Sequence, residues 1–92
     1  MKINIKYFAQ IKKEAGKPSD ILEVPSGASL QECIRKIGDS NTASFKNMLF
    51  DESGAYRDTI VLMVNSIQVR YAENPVMHDG DELMLMSPIA GG

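Results

Sequence analysis

Ninety-two residues, 43% hydrophobic and 24% charged, fit one small globular domain. Ten basic against twelve acidic residues leave a formal charge of −2, without the positive field that nucleic acid or anionic lipid would demand. A single cysteine, Cys33, excludes an internal disulfide framework, a cysteine-built zinc site and the four thiolates of an iron–sulfur cluster. No apolar run approaches the roughly 20 residues of a membrane span. The alternating start Met1–Lys6 is unlike a secretory leader, so the expected location is the cytoplasm.

Ile3, Ile5 and Tyr7 alternate with Lys2, Asn4, Lys6 and Phe8, the period of a strand with one apolar and one mostly polar face. Residues 9–15 carry helix formers and predict a short helical turn, ended by Gly16-Lys17-Pro18-Ser19. Asp20–Val24 reads as a second strand, with Leu22 and Val24 on one face, hairpinned to the first. After Pro25-Ser26-Gly27, Ser29-Leu30-Gln31-Glu32 has the spacing of a capping box. Leu30, Cys33, Ile34 and Ile37 follow at helical spacing and predict a helix over 29–37, ended by a left-handed Gly38.

Residues 39–58 are long for a connection in so small a domain and are expected to be partly mobile. Within them Phe45, Met48 and Leu49 suggest a short helix near 43–49, and Asp51–Gly54 a turn. Ile60–Val64 is a continuous apolar run, expected as a central strand buried on both faces. Asn65-Ser66 turns the chain into Ile67–Val69, Asn74-Pro75 breaks it, and His78-Asp79-Gly80-Asp81 makes a turn before the strand Glu82–Met86. One core must serve all of these. The fold class is therefore α+β: a mixed sheet of about five strands with one main helix across it, the first and last strands parallel at its centre.

Side-chain chemistry is sparse. There is no Gly-rich nucleotide loop. The one histidine, His78, has no cysteine or second histidine near it in sequence, so no metal is expected. Asp79 and Asp81 fit turn chemistry better than paired-carboxylate catalysis. Cys33 lies on the apolar helical stripe, as a structural thiol does. The chain is not expected to be an enzyme on its own, nor to bind a cofactor.

The chain end carries the functional signal. Residues 1–87 read as the domain and 88–92 as a flexible tail ending in Gly91-Gly92. Glycine has no Cβ, so such an end is slender enough to thread a narrow channel. Pro88 stiffens its base, and five extended residues reach on the order of 17 Å. A carboxylate resists nucleophiles until activated. ATP can turn it into an acyl adenylate, from which a sulfur or nitrogen nucleophile displaces AMP. Gly92 would carry that chemistry with its main-chain carboxyl group. The bland alternative is a frayed end without a role.

Several segments taken together resemble the sulfur-carrier family of ubiquitin-like β-grasp proteins (MoaD/ThiS type), above all its molybdopterin synthase small subunits. They are Ile5-Lys6-Tyr7-Phe8-Ala9, Leu22–Glu32 with its Pro-x-Gly turn, Val64-Asn65-Ser66, His78–Leu83 and Ser87-Pro88-Ile89-Ala90-Gly91-Gly92. Ser66 stands where the family usually has glycine, and Ser87 where it has the first of two prolines. The long 39–58 stretch weighs against the shorter thiamine-pathway carriers. The resemblance implies a ubiquitin-like β-grasp fold and a cycle run by other proteins. A MoeB-like adenylyltransferase spends ATP on Gly92, and a sulfurtransferase or cysteine desulfurase converts it to a thiocarboxylate. A MoaE-like large subunit, in a heterotetramer, then receives the tail and passes sulfur to a pterin precursor. Gly91, Ala90, Ile89 and Pro88 would orient the tail.

Strand alternation adds a physical point. If Leu83 and Leu85 face the core, Met84 and Met86 face outward as adaptable docking contacts, unless residues 39–58 cover that face. Three functions remain open on these residues. They are a sulfur carrier (for molybdopterin, or for thiamine or tRNA thiolation), a ubiquitin-like modifier joined to target lysines through Gly92, and a β-grasp binding module with an idle tail.

Overall fold

The computed structural model describes residues 1–87. Strand β1 (Lys2–Phe8) leads into helix α1 (Gln10–Ala15), and β2 (Ser19–Glu23) returns antiparallel to β1. Helices α2 (Leu30–Asp39) and α3 (Ala43–Leu49) follow. The short strands β3 (Val61–Val64) and β4 (Ile67–Val69), a 3-10 turn at Tyr71–Glu73 and β5 (Glu82–Met86) complete the order. The sheet runs β2-β1-β5-β3-β4. β1 and β5 are parallel and adjacent, as the sequence predicts, and every other pairing is antiparallel.

Alternation decides which face of the sheet is dry. Ile3, Ile5 and Tyr7 of β1, Leu83 and Leu85 of β5 and Leu62 of β3 are buried, as are Leu22 and Val24. They meet Leu30, Cys33, Ile34 and Ile37 of α2, Ile11 of α1, and Phe45 and Leu49 of α3 in one core. The Tyr7 and Phe45 rings meet edge to face at 5.6 Å, and burial pushes the Tyr7 hydroxyl up to about 12. Ser29 caps α2, its Oγ accepting from the Glu32 N–H at 3.3 Å. The Glu32 carboxylate takes the Ser29 hydroxyl at 3.4 Å, so only half of the reciprocal box forms.

Two expectations change. Gly38 does not end α2 in a left-handed turn. The helix runs on to Asp39, Ser40 closes it in right-handed geometry, and its C-terminal end packs against α3. β3 is not buried on both faces: Leu62 points into the core, whereas Val61, Met63 and Val64 are half-buried. A four-residue strand with one covered face needs no second helix layer, and its continuous apolar run reflects two different surfaces. Residues 39–58 hold the short helix expected near 43–49, as α3, and the expected turn, where the Gly54 N–H donates to the Asp51 carbonyl at 3.0 Å. Thr42 Oγ1 caps α3 through the Phe45 N–H at 3.1 Å, and the Arg57 guanidinium donates to the Asn47 carbonyl at 2.6 Å. The Asp51 carboxylate takes three hydrogen bonds from Ser53 and Ala55.

Candidate functional site

The site is assembled from the outward side of the three inner strands. Register places Lys6, Met84 and Met63 in one row across β1, β5 and β3, and Phe8, Met86 and Val61 in the next. Pairing partners project to the same face, opposite to Ile5, Leu83 and Leu85. Phe8 is 38% exposed and Met86 37%, while Met84, Met63 and Val61 are half-buried. Five apolar side chains thus adjoin on a face that the helices leave open. α3 sits in the helix layer against α1 and α2, so it does not cover Met84 and Met86. The rim is polar: the Lys6 ammonium lies 3.1 Å from the Glu82 carboxylate, an exposed pair of small energetic weight.

Met84 and Met86 stand where alternation predicts. The structure adds Phe8, Val61 and Met63 to them. Phe8 was legible as the one apolar residue on the polar face of β1; Val61 and Met63 needed the β3–β5 register, which no local pattern carries.

At the end of β5 the chain is fastened. Ser87 is 3% exposed, and its Oγ accepts a 2.9 Å hydrogen bond from the Ile11 N–H in the first turn of α1. That turn has no cap of its own, because its N-cap residue is Ala9. Pro88, Ile89, Ala90, Gly91 and Gly92 continue from this point and lie outside the described residues.

The other candidates fall to structural duty. The Asp79 carboxylate accepts from the Lys2 N–H at 2.7 Å. Asp81 accepts from the His78 N–H at 2.8 Å and from the Asn65 side chain at 2.9 Å. Partial burial pushes the Asp81 carboxyl up. The hydrogen bonds from Asn65 and His78, with the nearby imidazole charge, outweigh it and hold the group below the usual carboxylate range. Cys33 is buried, and burial pushes its thiol up, which suits packing and not nucleophilic attack. Among the described residues no three His, Cys, Asp or Glu side chains gather into a metal-binding group. No described helix is long and apolar enough to cross a membrane.

The ThiS family matches residues 5–92. The chain belongs to that family. A molybdopterin synthase sulfur carrier subunit of Chlamydomonas reinhardtii is 27% identical over 92 residues, covering the whole of both chains. Its counterpart in Arabidopsis thaliana is 25% identical over the whole of this chain and 84% of that protein. The fold is that of SAMP1 from Haloferax volcanii, with a TM-score of 0.90 and 22% identity over both full chains. The complex of subunits 1 and 2 of molybdopterin-converting factor from Helicobacter pylori also contains it, at a TM-score of 0.61 and 18% identity over both chains. This ThiS-family chain is therefore a ubiquitin-like β-grasp protein, a mixed five-stranded sheet with helices packed across one face.

Proposed function

We propose that this ThiS-family protein is a sulfur carrier, the small subunit of a molybdopterin synthase. The observation that carries the reading is the open apolar face of β1, β5 and β3. It lies on the strand whose end leads, through Ser87, into Pro88-Ile89-Ala90-Gly91-Gly92. A partner that grips this face holds the root of the tail at a set distance from its own active site. The two curated relatives support the pterin pathway, and the Helicobacter pylori complex supports a MoaE-like large subunit as partner.

The chemistry resides in the Gly92 carboxyl group. Its oxygen attacks the α-phosphorus of ATP in a MoeB-like adenylyltransferase, and pyrophosphate leaves. The outer sulfur of a persulfide on a sulfurtransferase or cysteine desulfurase then adds to the acyl carbon, and AMP leaves, giving an acyl disulfide; a second thiol attacks the enzyme's sulfur, forms a disulfide with it and releases the thiocarboxylate. Bound in the large subunit, that sulfur passes to the pterin precursor. Gly91 and Ala90 keep the tail narrow, and Ile89 and Pro88 orient it. The carrier supplies no side chain to any of these steps.

The test is intact mass after incubation with the adenylyltransferase, ATP and a sulfur donor. Replacement of one oxygen by sulfur at Gly92, followed by loss of that sulfur to the pterin precursor with the large subunit, is the expected result. Branched Gly-Gly remnants on target lysines would instead establish a protein modifier. Sulfur transfer that survives deletion of Gly91 and Gly92 would end the proposal.

A further inference from the structure

Ser87 stands apart from the otherwise apolar and aromatic buried side chains of the described residues, and it sits at the last position before the tail. Its hydroxyl spans 76 positions of sequence to accept from the Ile11 N–H, inside the core side of the fold. An N–H in the first turn of a helix has no partner within that helix, and a local Ser, Thr, Asp or Asn ordinarily supplies one. Here the local position is Ala9, which has no oxygen to offer. Ala9 also holds φ 60°, ψ −135°, a conformation that a side chain disfavours and that persists only where neighbours enforce it. Its neighbour Phe8 is one of the apolar residues of the docking face, paired in register with Met86. One hydrogen bond therefore joins the end of β5, the strained corner after β1 and the edge of the apolar patch.

Resting on the proposed function, we infer that Ser87 is a positioning residue: by borrowing the Ile11 N–H it fixes the point and direction from which the tail leaves the docked domain. Docking and delivery then separate. The sheet face sets how tightly the carrier is held. The Ser87–Ile11 bond sets whether the held carrier aims its terminal carboxyl at the α-phosphorus of ATP. A proline at this position would have no hydroxyl for the task.

The full-length chain with Ser87→Ala, and with Ser87→Thr to restore the hydroxyl, tests this in two arms. In the first, 15N relaxation is recorded on the free proteins. Ser87→Ala is expected to leave the dispersion of the core amides unchanged, to remove hydrogen-exchange protection at Ile11, and to raise the amplitude of motion at Ile89 and Ala90. Ser87→Thr is expected to match the parent. In the second, AMP incorporation by the adenylyltransferase is followed against carrier concentration. Ser87→Ala is expected to leave KM within about twofold and to lower kcat about tenfold, and Ser87→Thr to recover most of it. Unchanged relaxation at Ile89 and Ala90, or an unchanged kcat in Ser87→Ala, overturns the inference and leaves Ser87 a helix cap only. A parent protein that no adenylyltransferase activates refutes the proposed function instead, and the relaxation arm still decides the role of Ser87.

Discussion

At the scale of single residues, Ser66 and Ser87 differ in kind: Ser66 carries a conformational cost, whereas Ser87 makes a hydrogen bond. Asn65 and Ser66 both have positive φ, 50° and 69°, as a two-residue hairpin between β3 and β4 requires. Glycine takes such angles without steric cost, whereas serine does not. Ser66→Gly should therefore stabilise the protein by about 0.5–1 kcal/mol, read from the urea midpoint at constant slope. Asn65 cannot be exchanged so freely, since its side chain accepts from the Glu82 N–H and donates to Asp81, both at 2.9 Å. Asp81 has a pH signature. Its carboxyl lies below the ordinary range in the fold, so the ionised form is favoured there and contributes stability above the unfolded value near 4. That contribution is lost as pH falls through the lower folded value. Urea titrations from pH 6 down to pH 2 should show a shallower loss in Asp81→Asn than in the parent. The capping signal at Ser29 and the turn closed by Asp81 on the His78 N–H were legible because their partners lie three positions away. Ser87 was not, because its partner is 76 positions away.

At the scale of elements, a glycine that looked like a stop signal is an interior helical residue. A Cβ on Gly38 would meet Lys46, Phe50 and Leu49 atoms at 3.5–3.7 Å, ordinary contact distances, and its φ is not positive. Gly38→Ala should add about 0.5–1 kcal/mol through helix propensity, visible as a rise in Tm. The strands give the opposite kind of prediction. Met86→Glu places a charge on an exposed position of the sheet, so the Tm should move little while affinity for either proposed partner, adenylyltransferase or large subunit, falls at least about tenfold. Calorimetric titration with either partner reads the effect, and undiminished binding would remove the apolar face from the docking role. Periodicity sufficed to place α2, β1 and β5, whose patterns are long and regular. It failed on β3, where four apolar residues in a row carry no record of which two face outward.

At the scale of the whole molecule, the parallel pairing of β1 with β5 unites the two ends of the domain. Its existence could be inferred because so few arrangements let five strands and one long helix share a core. The join at Ser87 and the composition of the outer face required the tertiary register. A chain truncated after Asp81 loses Leu83 and Leu85 from the core and the common partner of β1 and β3. It should have no cooperative thermal transition and little near-ultraviolet circular dichroism, whereas deletion of Gly91 and Gly92 alone should keep both.

Because β5 is the common neighbour of β1 and β3, strand β1 gains its inner partner only when residues 82–86 are in place. The pairs that set Lys6 beside Met84 and Phe8 beside Met86 therefore form together with the core contacts of Leu83 and Leu85. Completion of the core and completion of the outer apolar face are thus one event, and a partly folded chain presents no such face.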